Sequence, residues 1–311
     1  MNDHDERATP RPLLAVFLLF ALPILIGAAI APYIFNGLQA LSEVTDNLGK
    51  LTDAKFERVA SRCVMLVAVI ILYPVIRMTG LMPQVKAGLK GSPARFRELG
   101  WSVALGCASI IVLYGIGYLL GAYSVDLRHT SPGRFLLTFT EYLVGAVFIG
   151  LFEEVFFRGF IFGALRSRLG FMIALLLSSA IFSTVHFLRP LYPEPIETAN
   201  WYTGFAILPY MFERFVWPRD LLFAATLFVM GLTLATFYEK RGSLYLIIGL
   251  HGGWVLAMRT GAYLLDRNNS VMPTAFGRGD LISKGYVALL VICAFLASAA
   301  WLKKRNPTES S

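Results

Sequence analysis

The chain has 311 residues, 56% of them hydrophobic and only 15% charged, with a formal net charge of +8 and a mean hydropathy of +0.62. Soluble domains carry about 25% charged residues, so this composition excludes a soluble globular protein and implies an integral membrane one. The positive charge does not point to nucleic acid, because Lys and Arg lie in short loops and at the ends of apolar runs, where they set topology and meet anionic lipid.

A polar tail, 1–12, contains Asp3, Asp5 and Glu6. The apolar run that follows is longer than a typical signal-peptide core, and Pro32 stands directly after the small-residue sequence Ala29-Ile30-Ala31. It reads as a retained anchor. Apolar runs long enough to span fall near 13–35, 63–79, 101–123, 135–152, 171–187, 221–238, 243–258 and 285–302. They predict an all-α fold, a polytopic membrane bundle of about eight transmembrane helices in a single domain covering 1–311. No internal repeat or low-complexity tract interrupts it, and a second polar tail, 303–311, closes it.

Between the first two runs, Asn36 to Ser61 carries Leu41, Val44, Leu48 and Leu51 at helical spacing, which predicts an amphipathic helix on the membrane surface. Arg77, Lys86, Lys90, Arg95 and Arg97, then Arg166 and Arg168, Lys240-Arg241 and Lys303-Lys304-Arg305 read as cytoplasmic. Lys50, Lys55, Arg58 and Arg62 fall on the opposite side and weaken that asymmetry. The connection from Arg189 to Pro218 holds Pro190, Pro193, Pro195, Pro209 and Pro218 with Trp201, Tyr202, Tyr210 and Trp217, the composition of an interfacial cap. Cys63, Cys107 and Cys293 lie in different runs and fit packing rather than a metal or disulfide pattern.

The fourth run ends in Glu153-Glu154-Val155-Phe156-Phe157-Arg158. A charge at membrane depth costs about 2.5–3.5 kcal/mol on insertion scales, so a cluster of ionisable groups there marks a functional site by default. On a helix Glu154 and Arg158 share a face and can pair, while Glu153 points about 100° away. The structural reading is an ion pair that merely orients a helix.

Two histidines add to the cluster. His4 and His129 are in polar segments, but His186 and His251 sit within apolar runs. From a turn at Arg166-Ser167-Arg168-Leu169-Gly170, Glu154 and His186 are each roughly 23 Å along their helices. From the turn at Lys240-Arg241-Gly242, His251 is roughly 15 Å deep. Glu153, Glu154, His186 and His251 are therefore expected to converge on one polar pocket. Carboxylate and imidazole suit proton transfer, and a second histidine can donate to a developing oxyanion. Glu153, His186 and His251 also match a catalytic zinc ligand set. Either way the chemistry is hydrolysis by activated water. No G-x-S-x-G or H-E-x-x-H sequence is present.

These motifs resemble the CPBP family, the CAAX-protease and bacteriocin-processing intramembrane proteases that include the type II CAAX prenyl endopeptidases. That family carries E-E-x-x-x-R, then F-x-x-x-H, then a motif beginning with His; here they match Glu153, Glu154 and Arg158, then Phe182 and His186, then His251. The resemblance covers about 140–260, and the first 130 residues carry none. It implies a metal-independent glutamyl endopeptidase without a cofactor. In it, Glu153 and His186 activate water, His251 stabilises the oxyanion, and Glu154 and Arg158 hold geometry and tune charge. The family usually has Asn four residues after the third motif's His. Here Val255 stands there, with Trp254 beside it as a substitute donor, and losing one such donor typically costs 10²–10³ in rate.

The leading expectation is thus an intramembrane protease in a multi-pass bacterial plasma-membrane setting. Its substrate would be a membrane-associated or lipid-modified peptide or protein, and its partners the lipid bilayer and no nucleic acid. A non-catalytic immunity or scaffold protein that binds a membrane peptide would keep the same fold and tolerate Val255. A proton-coupled transporter would also bury Glu, His and Arg, but no inverted repeat or pair of broken helices is readable.

Overall fold

The computed structural model describes residues 11–42, 44, 55–127, 130–188, 196–211, 221–277 and 282–302. Residues 1–10 with His4, the His129 position, Lys50, Pro190, Pro193, Pro195, Trp217, Pro218 and Lys303-Lys304-Arg305 lie outside them. The described chain is helical apart from one two-stranded ribbon, an all-α polytopic membrane protein. Among the described residues, five segments are long and apolar enough to cross a membrane: Leu14–Leu41, Phe56–Met78, Pro93–Leu119, Pro132–Val185 and Leu221–Arg241. They hold six of the eight expected runs, because Pro132–Val185 contains two. The other two runs form Leu244–Leu264, whose His251, Arg259 and glycines lower its hydropathy, and the shorter Tyr286–Trp301.

The chain divides into two compact units, the first from Met1–Met82 and Thr184–Pro218, the second from Pro83–Ser183 and Arg219–Ser311. In the first unit, α1 (Arg11–Ser42) packs on α2 (Phe56–Met78). The expected surface helix over 36–61 is not formed at its ends. Residues 36–42 continue α1 and 56–61 begin α2, because Phe35 and Phe56 are both buried and meet edge to face at 5.3 Å. In the expected cap, Ala199 and Ile207 join that apolar cluster. Asn36 holds the Ala199 backbone from both sides, donating to its carbonyl at 2.8 Å and accepting from its N–H at 3.2 Å. A short helix, α3 (Thr203–Ala206), sets Gly204 against the Ala28 backbone. Trp201 and Tyr202 stay exposed, as interfacial aromatics do.

The second unit carries α4 (Pro93–Leu119), α5 (Pro132–Glu154), a π-helical turn over Val155–Phe162, α6 (Gly163–Val185), α7 (Leu221–Arg241), α8 (Leu244–Leu264) and α9 (Tyr286–Trp301). Sequence punctuation fixes the starts. Ser92 and Ser131 accept from the N–H groups of Arg95 and Arg134, and Pro93 and Pro132 occupy the first turn. Gly170 (φ 78°) breaks the long helical run at the expected turn, and Gly242 (φ 61°) links α7 to α8. Helix α8 lies at the centre, against α4, α5 and α7, while α9 packs on α7.

At the far end of α4 and α8, Tyr123–Val125 and Leu265–Arg267 pair as an antiparallel ribbon. Arg267 donates to the carbonyls of Ala122, Val271 and Gly277 at 2.8, 2.9 and 3.1 Å. Its guanidinium also covers the Tyr123 ring. Burial pushes the Tyr123 phenol up to about 12, Arg267 pulling the other way.

Candidate active site

Glu153 and Glu154 close α5 where it passes into the π-helical turn. Such turns widen the backbone spiral and recur at functional sites. The turn is lined by Phe156, Phe157, Phe160, Ile161 and Phe162, all buried, so the polar groups beside it have little water to compete for them.

Arg158 is held on three sides. Its Nη1 donates to Glu154 Oε1 at 2.9 Å, as the four-residue spacing predicted, and Nη2 donates to the Gly231 carbonyl of α7 at 3.5 Å. Its guanidinium stacks on the Phe182 ring at 4.5 Å. Arg158 is 2% and Glu154 0% exposed, so this is a sealed ion pair. Phe182, fully buried on α6, also meets the His251 ring edge-on at 6.2 Å.

His251 joins the two glutamates. Its Nδ1 lies 2.7 Å from the same Glu154 Oε1, and its Nε2 lies 3.9 Å from Glu153 Oε2. A carboxylate that accepts from Arg158 accepts from the imidazole as well, which puts the ring proton on Nδ1 and turns Nε2 toward Glu153. Glu154 Oε2 is buried with no hydrogen-bond partner among the described residues. Glu153 retains 22% exposure, in contrast to its sealed neighbours.

Glycines bring His251 to this depth. Gly249 and Gly253, four apart on α8, lie against α4, where any Cβ on Gly253 would stand 2.5 Å from the Val103 carbonyl and one on Gly249 would collide with Ser102. Gly150 of α5 faces the backbone of Ile248 and Gly252, where a Cβ would stand 2.9 and 3.3 Å from them. Small residues at four-residue spacing let membrane helices approach at the backbone. This Gly-x-x-x-Gly is a local signal in the sequence for that close approach.

The remaining expected residues take separate places. Helix α6 ends at Val185, so His186 is in the turn just past the helix rather than within it, and it belongs to the first unit. Trp254 is buried, and its indole N–H donates to Ser109 Oγ at 3.1 Å. That bond occupies the donor suggested as a substitute for Asn. Val255 is one turn beyond His251 on α8 and partly buried. Among the described residues, no group of three His, Cys, Asp or Glu side chains is arranged to hold a metal ion.

Residues 135–257 match the family model described as type II CAAX prenyl endopeptidase Rce1-like, a protease family. The match spans the whole Glu153 to Val255 constellation and agrees with the resemblance read from its motifs. No curated protein and no solved structure matches the chain.

Proposed function

Residues 135–257 match the Rce1-like CAAX protease family model, and on that premise we propose that the chain is a glutamyl-type intramembrane endopeptidase. Its substrate is a membrane-associated or lipid-modified peptide or protein. The observation that supports the mechanism is the His251 ring, tied through Nδ1 to Glu154 and turned through Nε2 toward Glu153.

Glu153 is the general base. Its side chain keeps 22% exposure although its Oε2, toward His251, is buried, whereas both Glu154 and Arg158 are sealed and engaged with each other. The 3.9 Å between Glu153 Oε2 and His251 Nε2 is too long for a direct hydrogen bond and suits two groups flanking one attacking oxygen. Two carboxylates and one guanidinium leave the group one positive charge short of neutrality, so a proton held on His251 Nε2 balances it and leaves Glu153 free to act as the base. As water attacks the scissile carbonyl, Glu153 takes the water proton. His251, protonated on Nε2, donates to the oxyanion, and the proton on Glu153 then passes to the leaving amine. Glu154 and Arg158 act through His251 by fixing its ring. The family motif gives His186 a share in activating the water.

The test is cleavage of a lipidated peptide panel by purified protein in detergent. Glu153→Gln keeps the size and hydrogen bonding of the side chain but removes the base, so activity falls by at least about 10²-fold with unchanged melting behaviour. By the family motif, His186→Ala is expected to lower activity as well. Undiminished cleavage by Glu153→Gln removes this residue from the catalytic role.

A further inference from the structure

Glycine contacts set how close α8 lies to α4. A surface of backbone on backbone has no side chains to interlock, so it leaves the register along the helix axis open. Register matters to the site. A slip of one residue rise, about 1.5 Å, exceeds the difference between the 2.7 Å from His251 Nδ1 to Glu154 and the 3.9 Å from Nε2 to Glu153. A charged contact able to fix it lies at the start of α8, eight residues or roughly 12 Å before His251.

That contact is made by Glu98, near the start of α4. Its Oε1 accepts from Nε and Nη2 of Arg241, the last residue of α7, both at 3.2 Å. Its Oε2 accepts from Arg95 Nη1 at 2.9 Å and from the Ser243 hydroxyl at 3.3 Å. Arg95 Nη2 in turn donates to the Arg241 carbonyl at 3.4 Å. Ser243 is the N-cap of α8, where its Oγ accepts from the Tyr245 N–H at 3.2 Å. One carboxylate thus joins the start of α4, the α7–α8 turn and the cap of α8. At 12% exposure Glu98 escapes most of the screening that weakens surface pairs. Its bonds are charge-assisted and roughly twice as strong as neutral ones. Glu98, Ser102 and Gly106 follow at four-residue steps, so the ridge of α4 that carries Glu98 is the one that meets Gly249 and Gly253. Farther along the same two helices, the bonds from Trp254 to Ser109 and from Tyr114 to the Met258 carbonyl are neutral.

We propose that Glu98 is a positioning residue for the hydrolysis: through Arg241 and Ser243 it fixes the axial register of α8 and so the placement of the His251 ring between Glu154 and Glu153. This rests on the protease reading and extends its machinery to α4, which lies outside the matched residues 135–257.

The experiment uses the full chain in nanodiscs and an S-farnesylated fluorogenic peptide. Glu98→Gln keeps the size of the side chain and removes its charge. It should lower kcat about ten- to a hundredfold, the range for a misplacement of about 1 Å, with KM unchanged, and Glu98→Asp should recover part of the loss. Arg241→Gln should act in the same direction, and the double variant should be no worse than the weaker single one, because both cut one contact. Glu239→Gln breaks the ion pair with Arg166 at the same end and should leave kcat unchanged whatever it does to the melting temperature. In parallel, NMR of isotope-labelled histidine reads the ring directly, His251 being assigned by the signal lost in His251→Gln. Glu98→Gln should shift that signal, and Glu239→Gln should not. Full kcat with an unshifted His251 signal in Glu98→Gln overturns the proposal. So does an equal fall of kcat in Glu98→Gln and Glu239→Gln, which reduces Glu98 to a general stabiliser. If Glu98→Gln does not fold, Arg241→Gln is read by the same criteria. If wild type cleaves nothing, the protease reading fails and the NMR comparison decides alone: a shift in Glu98→Gln that is absent from Glu239→Gln supports the register role, and no shift overturns it.

Discussion

Glu153 and Glu154 are adjacent and chemically identical, yet one keeps 22% exposure and the other none, and burial divides their work. Because Glu154 is sealed against Arg158 and His251, removing one partner leaves a charge without compensation. Arg158→Ala should therefore damage folding more than chemistry, by about 3–5 kcal/mol. Thermal unfolding and yield in detergent check this, and normal stability with low activity would make Arg158 a direct participant. Val255 raises the opposite question, of a group that is missing. The Trp254 N–H is already given to Ser109, so Val255→Asn adds a donor one turn from His251. Single-turnover cleavage should rise, up to the roughly 10²–10³-fold that one oxyanion donor supplies. An unsatisfied amide there would instead cost about 1–3 kcal/mol of stability. A stable variant that cleaves no faster shows that another group fills the position.

Helix α8 is the element on which the site depends, because it presents His251 while its glycines set the distance to α4 and α5. Gly253→Val forces a side chain into the Val103 carbonyl and should move the imidazole off Glu154. The expected result is a loss of activity together with a lower melting temperature, and a variant with native melting and full turnover would free the site from this contact. How much of this was legible follows from the kind of signal involved. The Glu154–Arg158 pair could be read because four-residue spacing is a local property, and the breaks at Gly170 and Gly242 because glycine punctuates locally. The π-helical turn has no Pro or Gly pair to announce it. The ribbon of Tyr123–Val125 and Leu265–Arg267 is too short to show alternation and joins segments far apart in the chain. Choosing Glu154 rather than Glu153 as the tether of His251 likewise depends on packing between α5 and α8, which no local pattern encodes. The first apolar segments misled for a related reason, since helical spacing in Asn36 to Ser61 fits a surface helix as well as the ends of two spans.

On the scale of the molecule, the two ends of the second unit differ in charge, and that difference predicts its orientation. At one end, Glu98 joins Arg95 at 2.9 Å and Arg241 at 3.2 Å, and Arg166 meets Glu239 at 3.4 Å. These contacts gather the starts of α4 and α8, the end of α7 and the Arg166 turn on one side. Lys86, Lys90, Arg97, Arg168 and Lys240 belong to the same segments, so cations there far outnumber Glu98 and Glu239. At the other end Arg134, Arg267 and Lys284 are offset by Asp126 and Asp266. An excess of Lys and Arg in short loops marks the cytoplasmic side. In a background lacking Cys63, Cys107 and Cys293, a cysteine in place of Lys90 should thus be protected from a membrane-impermeant maleimide in intact cells and labelled after lysis. One in place of Asn268, next to the ribbon, should be labelled in intact cells. His251 lies seven residues from the start of α8 and thirteen from its end, so the proposed active site falls nearer the basic side. Substrate would then meet the proposed catalytic group from the cytoplasmic side. Labelling of the Lys90 position in intact cells would reverse the orientation and, with it, the side from which substrate arrives.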